Sequence, residues 1–422
     1  MKQAYFWVRG RYRGVKSWLD QFDALSYYLL IICATTLVLI GLYMDISIQQ
    51  VQIASDSEGS ASLTQLYEPY LRTTLIYLVG IAAAWGVSRL KPAIIIRYGW
   101  LMLVPAAILQ TLIFTSLGVT IGGNAGWVQL PGIGPVQPAE LSKLALILAL
   151  AAVLDRYTGA LTSRVALALM GFIVAATAGL VVLGKDLGSA LVMVVIVAAM
   201  LVIAKFPAKY MAITGALGAV GISILTYMSA NRRARISAWW NMPSLADDES
   251  GLTYQPHHAE YAFAHGGVLG VGSDGSREKW GYLTQSESDY VYAVLGEEHG
   301  LVGTLAVLII FLLIGYCCMR VMRAHVRNRY ILFSTTGICT WLVGQALINI
   351  MVATGLLPVL GVPLPLISKG GSSTVAIMLA VGVLTCFARN EPSAIAVLRS
   401  QSQANRRTVL EALSKWRIWH RG

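Results

Sequence analysis

Long apolar runs separated by short polar stretches dominate the 422-residue chain. The runs are too long and continuous for barrel strands, and in lipid only helices or closed barrels satisfy every backbone polar group. The pattern predicts ten helices, at about 26–44, 71–88, 98–118, 141–154, 166–183, 187–204, 209–228, 300–317, 331–352 and 374–388. At roughly 20 residues each they take about 200 residues, leaving the rest for loops and tails. The expected fold class is an all-α polytopic membrane protein. Its membrane domain spans 26–389, between basic tails at 1–25 and 390–422.

The polar stretches are unequal. Residues 45–70 carry Asp45, Asp56, Glu58 and Glu68 among Ser and Gln, with no obvious chemistry. Residues 119–140 are rich in Gly and Pro. The stretch 229–299 is the longest, and a structureless loop of that length would be unusual. Short interfacial helices are expected there, around 259–270 and 288–296. A short helix is expected at 408–419 in the polar, basic C-terminal tail. The N-terminal stretch has no clear small-residue cleavage site, which favours a signal anchor over a removed signal peptide.

Composition agrees with a membrane chain. Hydrophobic residues make up 56% and charged residues 13%, about half the roughly 25% usual in soluble domains. That is too little polar surface for a protein bathed in water. The net charge of +11 would suggest nucleic acid in a soluble protein, but here it orients the chain and no nucleic-acid partner is expected. With the N-terminus inside and sides alternating, the inner segments hold 23 of 32 basic residues and 5 of 21 acidic ones. The inside is then +18 and the outside −7, so both termini are expected in the cytoplasm and 229–299 outside. Five cysteines lie in or beside apolar runs without a CxxC pair and read as packing residues.

Charges near the outer ends of helices are informative, because burying one without a partner is costly. Lys185 and Asp186 in GKDLGS form either a mutually paired turn or the wall of a polar cavity. Glu140 and Lys143 in QPAELSK either pair at i,i+3 or contact substrate. Arg232, Arg233 and Arg235 are a solvated charge run or a clamp for an anion, since guanidinium matches phosphate oxygens bidentately. Residues 279–300 hold the densest group of acid–base candidates, with Asp289 where a polar loop turns into an apolar helix. On one straight helix Glu297 would lie about 12 Å away, so the two are not an immediate carboxylate pair. Asp289 could act alone as general base on a sugar hydroxyl. In 349–373, Pro358, Pro363 and Pro365 argue for an irregular re-entrant or surface loop lining a cavity, with Lys369 its only charge.

Here the chain resembles the shape, elongation, division and sporulation (SEDS) family of RodA, FtsW and SpoVE. The segment NIMVATGLLPVLGVPLPLISKGGSS (349–373) is similar to its signature. So, in the family's order, are GGNAGWVQLPGIGPVQPAELSK (122–143), GKDLGS (184–189), RRARISAWWNMP (232–243), AHGGVLGVG (264–272) and YLTQSESDYVYAVLGEEHG (282–300). The resemblance implies a ten-helix membrane fold in the bacterial cytoplasmic membrane. It also implies a peptidoglycan glycosyltransferase that polymerises lipid II at the outer face. Partners implied are a class B penicillin-binding protein and other divisome or elongasome membrane proteins. The essential acid–base carboxylate falls on Asp289, and cavity-facing positions fall on Arg235, Lys143, Glu140 and Asp186. Trp127 and Lys369 complete the expected substrate-binding set. The leaving pyrophosphate is expected to meet basic residues or a divalent cation (Mg or Mn), although no compact metal-ligand set is visible.

The chain departs from the family pattern in places. NAGW stands for an ARRW-like stretch, Lys185 precedes Asp186 where Pro is usual, and Lys369 replaces the Tyr of SYGGSS. YLPEAHTD becomes YLTQSESD, which keeps Asp289. A lipid II flippase or transporter, and a non-catalytic scaffold of the cell-wall synthesis complex, are the competing functional classes.

Overall fold

A computed structural model describes residues 24–56, 63–121, 124–131, 134–227, 229–244 and 251–398. Most of both basic tails, including the short helix expected at 408–419, lies outside these residues. In chain order the helices are α1 (Leu25–Asp56), α2 (Leu63–Arg89), α3 (Pro92–Phe114), α4 (Pro138–Arg156), α5 (Arg164–Leu183) and α6 (Leu187–Ile203). They continue with α7 (Ala208–Tyr227), α8 (Ala230–Asn241), α9 (Tyr254–Gly266), α10 (Val291–Ala324), α11 (Arg329–Ala353) and α12 (Gly371–Arg389). A helix lies on each of the ten predicted apolar segments. Among the described residues seven, namely α1, α2, α3, α5, α10, α11 and α12, are long and apolar enough to cross a membrane. The chain is a multi-pass membrane protein.

Lipid-facing and buried helices divide cleanly. Helices α2, α3 and α5 turn Leu75, Trp85, Val104, Ile108 and Phe172 outward, as surfaces do when the solvent is hydrocarbon. Helix α4 does the opposite. It is buried without interruption from Ser142 to Ala151 and packs against α3, α5, α6, α11 and α12. That central position explains how α4 can hold charged residues among apolar ones: its neighbours supply their partners.

The all-α expectation needs one correction. Within 118–136 the chain forms an antiparallel sheet of β1 (Gly118–Ile121), β2 (Asn124–Leu130) and β3 (Gly134–Val136), in that order. Val119 faces Trp127, and Val128 faces Val136. The segment is too interrupted by Gly and Pro to continue as helix, and the ladder satisfies its backbone instead.

The outer stretch before α10 also differs from expectation. The helix around 259–270 ends earlier, at Gly266, and the one around 288–296 is the first part of α10. Gly300 (φ 64°, ψ −164°) kinks α10 between a buried N-terminal piece and the long apolar piece. A Cβ at Gly300 would lie 2.4 Å from both Gly270 N and Val268 O, so space and backbone conformation both demand glycine. From 356 to 370 the backbone is irregular, as the three prolines require, yet Leu364, Leu366 and Ile367 are buried. Irregular backbone at this depth is tolerated because it lines a cavity.

Candidate active site

A cavity of about 2200 Å3 lies among α1, α2, β2, the starts of α4 and α6, α8, the 285–289 loop and the 358–371 loop. Asp289, Asp186, Arg235, Lys369 and Trp127 all line it. The structure does not bring Glu140 and Lys143 to it.

Asp289 is placed by its backbone. Asn349 of α11 donates from Nδ2 to the Asp289 carbonyl and to the Val362 carbonyl, each at 2.8 Å. This one amide therefore joins the 285–289 loop to the 358–371 loop. Ser368 tightens the same junction: its hydroxyl donates to the Ser288 carbonyl and accepts from Leu364 N. The Asp289 side chain is left half-buried at the cavity wall, beside the open face of Gly361. Burial pushes its carboxyl from 3.8 up to about 6, the nearby Asp186 carboxylate adds to the rise, and Arg235 opposes it. A carboxyl so poised can exchange a proton near neutral pH.

Asp186 caps α6. Its Oδ1 accepts from Ser189 N at 3.0 Å, and its Oδ2 accepts from Gln137 Nε2 at 3.0 Å. Among the described residues it forms no ion pair with Lys185, so the mutually paired turn is not what forms. Lys185 is exposed at the cavity, in a left-handed backbone conformation (φ 64°). The arginine run splits by helical geometry. Arg232 and Arg235 line the cavity, with Arg232 Nη2 3.4 Å from the Lys185 carbonyl. Arg233 turns back, donating to the Tyr227 carbonyl with its guanidinium 5.2 Å from the Tyr227 ring centre. Basic side chains thus gather at the end of the cavity that holds Asp289 and Asp186.

Lys369 lines the cavity but is engaged. Its Nζ lies 2.6 Å from Glu287 Oε2, and its backbone N donates to the Glu287 carbonyl at 2.8 Å. Glu140 and Lys143 sit one layer behind the wall, fully buried, with Nζ 2.7 Å from Oε1. Lys143 also donates to Gln345 Oε1 at 2.7 Å and lies 5.7 Å from the Trp341 ring centre. Gln345 Nε2 in turn donates to the Pro363 carbonyl at 2.9 Å. The i,i+3 pairing is what forms, and it props the cavity loop from behind.

Glu297 and Glu298 belong to a separate polar knot. Glu297 accepts from the Ser276 hydroxyl and from Arg277 N, and His265 Nδ1 lies 2.7 Å from it. Lys279 Nζ lies 2.8 Å from Glu298 Oε1 and 2.8 Å from Asp274 Oδ1. These bonds fasten the 274–279 loop to α10, and neither glutamate lines the cavity. Among the described residues no group of three or more His, Cys, Asp or Glu side chains converges to hold a metal. The donor set there does not fit a protein-held cation.

Sequence reasoning missed Asp45, Gln49 and Tyr77, which also line the cavity, and the loop-setting amides Gln345 and Asn349. The available signal was Gln and Asn four residues apart in an otherwise apolar helix, a spacing that puts both on one face.

Comparison with known proteins agrees with this architecture. A protein of Mycobacterium tuberculosis called a probable peptidoglycan glycosyltransferase FtsW is 32% identical over 387 residues, covering 91% of this chain and 71% of its own length. The protein so called in Coxiella burnetii is 34% identical over 364 residues, 84% of this chain and 94% of its own. Among solved structures, one described as a peptidoglycan synthase complex that coordinates polymerization and crosslinking has a chain of the same fold, at a TM-score of 0.66. It is 23% identical, and the match covers 86% of this chain and 97% of that one. The rod shape determining protein RodA of Thermus thermophilus matches at a TM-score of 0.59 with 22% identity, over 86% and 96% of the two chains. The FtsW/RodA/SpoVE cell cycle protein family matches residues 27–392, and the chain belongs to that family.

Proposed function

We propose that this protein is a peptidoglycan glycosyltransferase that polymerises lipid II at the outer face of the cytoplasmic membrane, in cell division or elongation. The observation that carries the reading is Asp289: a carboxylate without a side-chain partner among the described residues, on the wall of a large cavity, next to Arg235. The naming of its relatives as probable peptidoglycan glycosyltransferases supports the same reaction.

Asp289 accepts the proton of the acceptor's GlcNAc 4-hydroxyl as its oxygen attacks the anomeric carbon of the donor MurNAc. The bond to the undecaprenyl pyrophosphate breaks, and the centre inverts. Arg235, Arg232 and Lys185 offset the charge that develops on the leaving group, and fixed positive charge in a partly dry cavity is worth more than in water. A positioned general base contributes about 10²–10⁴-fold. Asp186 and Gln137 shape the wall beside it, and Trp127 offers an aromatic face to a sugar.

Topology follows from charge. Arg320, Arg323, Arg327 and Arg329 lie at the α10–α11 turn, whereas Asp289 precedes the opposite end of the 34-residue α10. The positive turn belongs in the cytoplasm, which puts Asp289 outside. On this reading α4, α6 and α7 join the seven longer apolar helices in ten crossings, and both termini are cytoplasmic. A class B penicillin-binding protein crosslinks the product, and divisome or elongasome membrane proteins complete the assembly.

The test is polymerisation of labelled lipid II by the purified protein with its penicillin-binding partner. Asp289→Ala should abolish glycan chains while leaving the protein folded. Glycan synthesis retained by that variant would sink the assignment and favour a flippase or a scaffold.

A further inference from the structure

The N-terminus of α12 opens into the cavity, and the reaction leaves it unused. Gly370, Gly371, Ser372, Ser373 and Thr374 all line the wall there. The first amide groups of a helix have no partner inside it, and the side chain at the N-cap ordinarily accepts from one of them. Here the N-cap is Gly370, which has no side chain to do so. Ser372 does not replace it, because its hydroxyl accepts from Gln137 N at 2.8 Å. The first bond of the helix runs from Thr374 N to the Gly370 carbonyl at 2.7 Å. The N–H groups of Gly371, Ser372 and Ser373 have no acceptor among the described residues.

A side chain adds a fourth donor. Ser373 is 6% exposed, and its hydroxyl hangs back over the N-cap, where a Cβ at Gly370 would lie 3.8 Å from its Oγ. That hydroxyl has no hydrogen-bond partner among the described residues. Unlike the orphan hydroxyls of Ser142 and Thr335, which are fully enclosed, it keeps surface toward the cavity. Open N–H groups, a hydroxyl and the positive end of a helix suit an anion, above all a phosphate. The nearby carboxylates are occupied: Glu287 by Lys369, and Asp186 by Ser189 N and Gln137. Lys369 acts on Asp45 of α1, whereas Asp289 faces Asp186 and Arg235, so this end of the wall is distinct from the arginine end.

Polymerisation brings two lipid pyrophosphates into one cavity, and only the donor's leaves. Charge builds on that leaving group, which suits the guanidinium groups of Arg232 and Arg235. The acceptor's pyrophosphate gains no charge and has only to be held, apart from the other because like charges repel. We propose that the α12 N-terminus, through the amides of Gly371, Ser372 and Ser373 and the Ser373 hydroxyl, binds the pyrophosphate that the acceptor keeps. The inference rests on the glycosyltransferase reading and adds the second phosphate position which that reaction needs.

The experiment uses the full-length protein in nanodiscs, with undecaprenyl pyrophosphate, undecaprenol and lipid II as probes. Gly370→Asp supplies the missing cap and puts a carboxylate where the phosphate would sit. The backbone there is extended (φ −176°), and Ser373 Cβ, 3.1 Å from the added carbon, has to give by a few tenths of an ångström. Wild type should bind two molecules of undecaprenyl pyrophosphate and Gly370→Asp one, while the variant melts no lower than wild type. Ser373→Ala should weaken one of the two sites about tenfold, the worth of a hydrogen bond to a charged group. Lipid II with its GlcNAc 4-hydroxyl blocked acts only as donor and separates the two roles. Ser373→Ala should raise KM for the acceptor about tenfold and leave that for the blocked donor unchanged. Three results would overturn the proposal: two pyrophosphates bound with unchanged affinity in both variants, an equal loss of undecaprenol binding, or a rise in KM confined to the donor. Two-site binding without polymer from lipid II would instead overturn the glycosyltransferase reading, so the two fail separately.

Discussion

Glu287 and Lys369 are partners, joined twice: side chain to side chain at 2.6 Å and backbone to backbone at 2.8 Å. Each stands where the family pattern has another residue, Glu287 at the His of YLPEAHTD and Lys369 at the Tyr of SYGGSS. In this chain the two departures meet, an acid against a base. The pair closes the junction that holds Asp289 two residues later. Because both side chains are about a third exposed, solvent screens the pair, and its coupling is on the order of 1 kcal/mol, or about fivefold. Reversing either charge alone, Glu287→Lys or Lys369→Glu, should lower lipid II polymerisation by at least that factor. The double reversal should recover most of it, because the attraction is restored with its direction exchanged. A double-mutant cycle on initial rates measures this directly. An additive cycle would show that the pair does not hold the junction.

The acid limb of the rate profile should report Asp289. Its carboxyl is raised to about 6, so the base is protonated and idle below that pH and becomes active as pH rises through it. Asp186→Asn removes a negative neighbour, lowers the Asp289 pKa and should move the limb to lower pH. Arg235→Gln removes the positive neighbour and should move it to higher pH, while also weakening pyrophosphate binding. The opposite directions make the pair diagnostic, measured as initial rate from pH 4.5 to 8. The same raised pKa has a stability sign. The proton is held more tightly in the folded state, so this contribution is full below the ordinary value of 3.8 and is lost as pH rises through about 6.

How far the site was legible depends on how local its signal is. The apolar runs are long and self-contained, and a helix lies on every one of the ten predicted segments. Asp289 stood out because a charge at a loop-to-helix boundary is visible in one dimension. Glu140 and Lys143 show the limit. Their i,i+3 spacing predicts the pair, but whether the pair faces a cavity or stands behind its wall depends on Gln345 and Trp341, some 200 positions away. Asp45 was hidden for another reason. The predicted apolar run ends at 44, whereas α1 continues to Asp56, and that extension places Asp45 and Gln49 on one inward face. The sheet at 118–136 lacked alternation because its strands are short and broken by turns.

The buried pair of Glu140 and Lys143 should matter for folding more than for any direct contact with substrate. Lys143→Met leaves the Glu140 carboxylate enclosed without its cation, and one of its oxygens, Oε2, already has no partner among the described residues. Breaking one side of a buried pair costs about 3–5 kcal/mol. The folded yield and melting temperature in detergent should fall sharply. Lys143→Met combined with Glu140→Gln should melt above the single variant, because no unpaired charge remains. A double variant as unstable as the single one would mean that the charge left behind is not the cause.

Gly188 ties the start of α6 to the cavity loop at 358–371. A Cβ there would lie 2.3 Å from the Leu360 carbonyl and 3.1 Å from Val362 Cγ2. The first of these is backbone, so the loop rather than a side chain must move. Gly361 follows Leu360 directly, and a Cβ at Gly361 would sit 3.7 Å from Asp289 Oδ2. Gly188→Ala should therefore displace the wall next to the Asp289 carboxylate, costing about 1–3 kcal/mol in stability. Polymerisation should fall by more than the loss of folded protein explains. Gly171→Ala is the matched control: it lies within α5 with nothing within 4 Å of the added carbon. Relief of glycine's helix penalty should leave that variant neutral or stabilised by up to about 1 kcal/mol. Melting temperature and polymerisation rate measured on both variants separate a local shift at the wall from a general response to alanine.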